Sequence, residues 1–282
     1  MTLNIETQGF DPNKFTIFFH IPKTGGSSIS DIFDQVYGSD YKRMGPKVLL
    51  TKFRQDHIIT DAKATLGHYT LLDPFYRHIN QPINHLTILR DPVDRVISQY
   101  YFLRGDEGHP LHKLALQYTL FELFHSKIDA AYELGMINRQ TNLLSSYTGS
   151  SRANLRVSSA KNNLRNYFTF FGIHDVIEEF VEVCGFYLGW PEVGVPKANS
   201  SGRPPLEEIP SNIRKAISDN NLLDRELYGY AQVLYEARVA ELRGEMAEEQ
   251  APEAIEVIAI TATRWQRFKS WFAINILRRK NV

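Results

Sequence analysis

Residues 15–30, FTIFFHIPKTGGSSIS, constrain this chain more than any other stretch. The apolar run Phe15, Ile17, Phe18, Phe19 reads as a buried strand, and Pro22 ends it. Lys23, Thr24, Gly25 and Gly26 then form a turn. From Ser27 the apolar residues Ile29, Ile32, Phe33 and Val36 recur on one face of a helix. A strand, a glycine turn and a helix in direct succession aim backbone N–H groups and the positive helix end at one spot, which suits an anion. The two glycines let backbone approach a phosphate closely. Ser27 and Ser28 are placed to cap the helix or to donate hydroxyls. Lys23 adds a point charge on a flexible stem.

A second unit of the same kind lies at residues 83–104, INHLTILRDPVDRVISQYYFLR. Residues 86–89 form an apolar strand, Asp91 is a natural N-cap, and Pro92 sits at the first helical position. Val93, Val96, Ile97 and Tyr100 share one helical face, and Asp91, Asp94, Arg95 and Ser98 the opposite one. Further along, helical periodicity is expected over 111–126, 128–146, 153–166 and 221–243. A strand lies within YFTFFGI, followed by a helix through Tyr187. Short apolar pieces stand at 48–50 and 57–59, and a turn at Asp73-Pro74. Residues 189–211, rich in Gly, Pro and Ser, read as one long loop, a length more often functional than idle. Strands followed by helices, with anion-type turns at strand ends, predict an α/β fold: three layers, P-loop-like, with a central and mostly parallel sheet.

Composition narrows the function. Lys plus Arg equals Asp plus Glu at 32 each, which argues against bulk nucleic-acid binding while leaving room for a local basic cleft. The single cysteine, Cys184, allows no intrachain disulfide and suits a reducing compartment. The polar start lacks a signal core, and no apolar run approaches the roughly 18 residues of a membrane span. A cytoplasmic protein is expected. The organisation read from the sequence is a lead-in at 1–13, one domain at 14–243, and an acidic linker with an amphipathic tail at 244–282. In the tail, Trp265, Phe268, Phe272 and Ile276 recur at helical spacing among basic residues. That stripe suits packing on the protein's own body or a second subunit, with a membrane surface as the alternative.

A nucleotide kinase would place Lys after the glycines, in G-x-x-x-x-G-K-[ST], whereas Lys23 precedes Gly25-Gly26. HIPKTGGSSI instead resembles the 5′-phosphosulfate loop of sulfotransferases, whose donor is 3′-phosphoadenosine 5′-phosphosulfate (PAPS). LRDPVDRVISQYYF resembles the 3′-phosphate motif of the same superfamily. The nearest likeness is to the carbohydrate branch, the heparan and uronyl 2-O-sulfotransferases and their bacterial relatives. It covers roughly residues 15–104, with fainter echoes to about residue 240.

The resemblance implies roles. Lys23 would contact the 5′-phosphosulfate and neutralise the bridging oxygen, with Thr24, Gly25, Gly26, Ser27 and Ser28 as N–H and hydroxyl donors. Arg90 and Ser98 would hold the 3′-phosphate. A guanidinium fork suits that task, with an ion pair to Asp91 or Asp94 as its structural alternative. The loop 197–203, KANSSGR, lies where relatives close over the nucleotide, which makes Ser200, Ser201 and Arg203 candidates for the 3′ end. Asn138, Arg139 and Gln140 echo an acceptor-side segment, with helix capping as the plainer reading. Sulfuryl transfer needs a base for the acceptor hydroxyl, and histidine is best matched near neutral pH. Where the 2-O-sulfotransferases have His-Gly-His, this chain has Leu66-Gly67-His68, so His68 is the single candidate base. His20, at the strand end, reads equally well as a buttress for the loop or as a bland structural residue. His109 and His112 have no metal-ligand spacing, and the family needs no metal, because a sulfuryl group carries less charge than a phosphoryl.

The expected activity is PAPS-dependent sulfation of a hydroxyl on a saccharide or glycoconjugate, releasing adenosine 3′,5′-bisphosphate. The alternatives are a P-loop small-molecule kinase and a non-catalytic nucleotide-binding protein of the same fold.

Overall fold

A computed structural model describes residues 9–44, 62–71, 76, 82–147, 152–196 and 202–250. Five strands make one sheet: β1 Phe15–Phe19, β2 Tyr41–Met44, β3 Ala64–Gly67, β4 Ile83–Leu89 and β5 Phe170–Ile173. Their order is β2-β3-β1-β4-β5, and every neighbouring pair is parallel. The helices are α1 Gly26–Tyr37, α2 Pro92–Gly105, α3 His112–Leu116, α4 Leu120–His125, α5 Ile128–Glu133, α6 Arg139–Leu144, α7 Ala153–Asn166, α8 Ile177–Leu188, α9 Ser211–Asp219 and α10 Leu222–Gln250. This is the expected α/β fold, a parallel sheet between helical layers.

β1 is central and buried throughout, because a parallel strand covered on both faces needs apolar groups on both. Its alternation sends Phe18 to one face, edge-on to Phe33 of α1 (6.2 Å) and Phe180 of α8 (6.4 Å). Phe19 faces the other way, against Phe168 at 5.7 Å and His85 at 6.0 Å. His85 is fully buried and paired at both nitrogens, with the Tyr76 hydroxyl (2.8 Å) and the Tyr167 carbonyl (2.9 Å). Burial lowers its pKa to about 4, so it is a neutral core histidine. A second cluster joins Val96, Ile97, Tyr100 and Leu103 of α2 to Leu123, Phe124, Leu134, Met136 and Ile217.

Several boundaries differ from expectation. α1 begins at Gly26, one residue earlier, with Gly25 as its N-cap. β2 was not anticipated, because YKRM is short and half charged, as edge strands often are. The stretch 111–146 holds four short helices rather than two long ones. α9 lies almost wholly between the expected loop at 189–211 and the helix expected from 221, where no element was anticipated, and α10 continues past Arg243 to Gln250. The pieces at 48–50 and 57–59 and the Asp73-Pro74 turn lie outside the described residues. The chain divides into two units, Met1–Glu241 and Leu242–Val282; the described part of the second is the end of α10. Among the described residues no helix is long and apolar enough to cross a membrane.

Candidate functional site

The C-terminal ends of β3, β1 and β4 lie side by side, and a polar residue follows soon after each: His68, His20 and Arg90. In open parallel sheets this edge is where ligands bind. The turn after β1 is built as its residues require. Gly25 has φ 99°, a left-handed conformation that disfavours any side chain, and an added Cβ would stand 2.8 Å from Ile177 Cδ1. Lys23 is also left-handed, at φ 69°. Thr24 is buried, its hydroxyl donating to the Ile21 carbonyl at 2.9 Å, so it secures the turn from inside. Neither serine caps α1. Ser28 is buried, its hydroxyl 3.5 Å from the Pro196 carbonyl, and Ser27 is exposed. No side chain caps the helix, so its first N–H groups point at the space before the turn.

The second unit meets the first through Arg90. Its Nη1 donates to the Lys23 carbonyl at 3.1 Å, and its Nε and Nη2 reach Asp94 Oδ2 at 2.6 and 2.5 Å. Arg203 pairs with the other oxygen of the same carboxylate. Burial works to raise the Asp94 pKa, and the Arg203 and Arg90 guanidiniums overcome it, so the carboxyl stays below its ordinary value. The Arg90–Asp94 pair foreseen as the structural alternative is therefore present, and Arg203 shares it. Lys23 stands beside this cluster with its ammonium 4.0 Å from the centroid of the Phe102 ring. Its pKa is lowered to about 8, first by burial and then by repulsion from Arg90 and Arg203. Lys23, Arg90 and Arg203 thus gather positive charge beside the glycine turn, with Asp94 between the two guanidiniums. Ser98 is buried on α2. Ser200 and Ser201 lie outside the described residues.

Sequence reasoning missed what holds this cluster in place. Gln140 clamps the Arg90 backbone, accepting from its N–H at 3.0 Å and donating to its carbonyl at 2.8 Å. α6 and α10 cap each other. The Asn138 Oδ1 accepts from the N–H groups of Leu223 (3.0 Å) and Asp224 (3.1 Å), and Asp224 accepts from those of Gln140 (3.2 Å) and Thr141 (2.7 Å). Within the segment 138–140, Asn138 thus caps α10 rather than its own helix, and the Gln140 side chain serves Arg90 instead. Arg95, placed by periodicity on a polar face, is wholly buried; its Nη2 donates to the Gly135 carbonyl at 3.0 Å. Burial lowers its pKa to about 10 against the opposing pull of Asp224. Tyr228 on α10 has a buried hydroxyl without a hydrogen-bond partner among the described residues, its pKa raised by burial and then by Asp175, Asp91 and Asp94. No local sequence signal marks these residues, since their partners lie tens of positions away.

His68 Nδ1 lies 3.0 Å from the His20 carbonyl, which can only accept. Nδ1 therefore carries the hydrogen and Nε2 keeps its lone pair. The His68 pKa is lowered, mainly by burial, so the neutral ring that a base requires is favoured. Among the other histidines, His112 Nδ1 pairs with the Leu103 carbonyl at 2.9 Å. Among the described residues no group of three His, Cys, Asp or Glu side chains is gathered to hold a metal.

Residues 9–133 match the family model described as the Sulfotransferase family, a span that includes the glycine turn, His68, Arg90 and Ser98. The match supports sulfuryl transfer by a transferase with a sulfuryl donor and an acceptor. No curated protein matches the chain.

Proposed function

We propose that the chain transfers a sulfuryl group from PAPS to a hydroxyl on a saccharide or glycoconjugate. The observation that carries this reading is the meeting of two anion-suited turns and one neutral imidazole at a single sheet edge. Arg90 donates to the backbone of Lys23, and His68 is bound to the residue that leads into the same turn. Two distinct anion-suited turns fit a nucleotide with phosphates at both ends better than one with a single chain of phosphates.

The residues fit such a donor. Gly25 supplies the left-handed turn, Lys23 and the first N–H groups of α1 hold the 5′ end, and Arg90 with Ser98 and Arg203 holds the 3′ end. Ser200 and Ser201 are candidates for that same end. The donor supplies a sulfuryl group whose leaving group is adenosine 3′,5′-bisphosphate. His68 Nε2 takes the acceptor hydroxyl proton, while Lys23 neutralises charge beside the turn. Holding both partners in one cleft provides much of the acceleration. We assign this chemistry to residues 14–243 and, from the lone buried Cys184, place it in the cytoplasm.

The test is transfer of radiolabelled sulfate from PAPS into fractionated extract of the native cell. Labelled saccharide, lost with Lys23→Ala and with His68→Ala while both variants stay folded, is the expected result. Mg²⁺-dependent ATP turnover without sulfate transfer would favour a kinase. Binding of adenosine 3′,5′-bisphosphate without transfer to any fraction would favour a non-catalytic binder.

A further inference from the structure

One side chain touches both the glycine turn and His68. In the β1–β3 ladder Phe19 pairs with Gly67, so the next rung sets His20 against His68. The His20 N–H donates to the Gly67 carbonyl at 2.9 Å, and the His20 carbonyl accepts from His68 Nδ1 at 3.0 Å. The two imidazoles stack, with centroids 4.3 Å apart and planes 25° from parallel. The far side of the His20 ring lies against the turn. A Cβ added to Gly26 would come within 1.9 Å of His20 Nε2 and 2.1 Å of its Cδ2. Gly26 is therefore glycine because the His20 ring occupies the space a methyl would need.

We propose that His20 is a positioning residue that holds the His68 imidazole in the orientation and tautomer a base needs, and couples it mechanically to the glycine turn. The proposal rests on the reading of His68 as base. A terminal sp³–sp² torsion such as χ2 of histidine is broad and soft, so one hydrogen bond leaves the ring plane loosely set. A stacked face restricts rotation about that torsion. The tautomer follows from the carbonyl partner, and the plane follows from the ring.

Burial first, and then the charges around the pair, keep it neutral. His68 is faced by His20 from the end of β1, Arg139 from the start of α6 and Arg43 from β2. His20 is faced by His68, Arg43 and Lys23, and burial with these neighbours holds its pKa well below the ordinary value. Two stacked imidazoles do not readily both carry charge, and nearby guanidiniums disfavour charging either. The coupling also gives the turn a route to the base. A ligand that shifts the backbone at Gly26 presses on His20, and His20 presses on His68.

The experiment is an NMR titration of the full chain labelled at histidine nitrogens, with His68→Gln to assign the resonance. Wild type is compared with His20→Ala and His20→Phe, and each is paired with its pH–rate profile. In His20→Ala the His68 midpoint should move up, because water reaches the uncovered face; with its plane no longer held, the ring turns off the retained His20 carbonyl and the pure Nδ1–H signature becomes a tautomer mixture. His20→Phe keeps the stacked face and should leave the midpoint near wild type. If His20→Ala does not fold, His20→Leu fills the space without an aromatic face and carries the same test. An unmoved midpoint and tautomer in the Ala or Leu variant overturns the proposal. A Phe variant that titrates like the Ala variant overturns the stacking account. An acidic rate limb that moves with the midpoint supports both readings. A midpoint that moves while the limb stays supports His20 as the positioning residue, and it is then the base assignment that falls.

Discussion

Replacing Lys23 by Met should make the protein more stable and inactive. In the folded chain the Lys23 pKa is lowered from 10.5 to about 8, chiefly by burial and then by Arg90 and Arg203. At 1.36 kcal/mol per pKa unit, that shift corresponds to about 3 kcal/mol of unfavourable charge burial at neutral pH. Solvent screening of a half-buried ammonium brings the usable figure to about 2 kcal/mol. Met keeps the length of the stem and removes the charge. It also loses the contact with the Phe102 ring, worth about 0.5–1 kcal/mol. The net gain is then about 1 kcal/mol, or a rise in Tm of roughly 2–4 °C for a domain of this size.

The sign follows from proton linkage. Below pH 8 Lys23 is charged in both states and the penalty is complete. Between about 8 and 10.5 the unfolded chain holds more protons than the folded one, so wild-type stability rises with pH. The advantage of Lys23→Met should therefore be greatest at pH 7 and vanish by about pH 10.5. Urea melts of both proteins at pH 7, 9 and 10.5, beside a transfer assay from PAPS, measure this. A variant less stable than wild type at pH 7, or a gain independent of pH, would refute the argument that the turn stores unfavourable positive charge for an anion.

Three other outcomes follow from the same geometry. Gln140→Ala strips both partners from the buried Arg90 backbone and should cost about 2–4 kcal/mol in urea melts, with a loss near zero denying the clamp. Arg90→Lys replaces a fork by a point charge and should weaken adenosine 3′,5′-bisphosphate about 10–100-fold by calorimetry; unchanged affinity would remove Arg90 from the 3′ grip. Burial lowers the His68 pKa from 6.5, and only the neutral ring can accept a proton. Activity should thus stay level as pH falls from 7 past 6.5 and decline only below it, whereas an acidic limb above 6.5 would contradict His68 as base.

The sequence by itself determined the units whose causes are local. β1 and α1 follow from an apolar run broken at Pro22 and a 3.6-residue pattern. The Asp91 cap and Pro92 start of α2 stand where the residue types require, with Asp91 accepting from the Asp94 N–H at 2.9 Å. α7 spans the expected residues 153–166. Gly25 was legible as a turn glycine, whereas Gly26 opens α1 and owes its identity to the His20 ring. Local pattern failed where a neighbour supplies the stabilisation. β2 is a charged edge strand that exists by pairing with β3, and α9 is a nine-residue helix in a stretch where no element was anticipated.

At the site, residue types were readable, and of their partners only Asp94, four positions from Arg90, was. Lys23, His68 and Arg90 stood out because few side chains can perform anion binding or proton transfer. The tertiary structure alone decided that His20 stacks on a ring 48 positions away, that Asp94 is shared by Arg90 and an arginine 109 positions away, and that Asp224 caps a helix 84 positions earlier. Those pairings arise from strand order and helix placement, and sequence spacing does not encode them. The glycine turn is specified by its own residues. Its coupling to His68 and to the turn after β4 depends on parallel strands that end at one sheet edge.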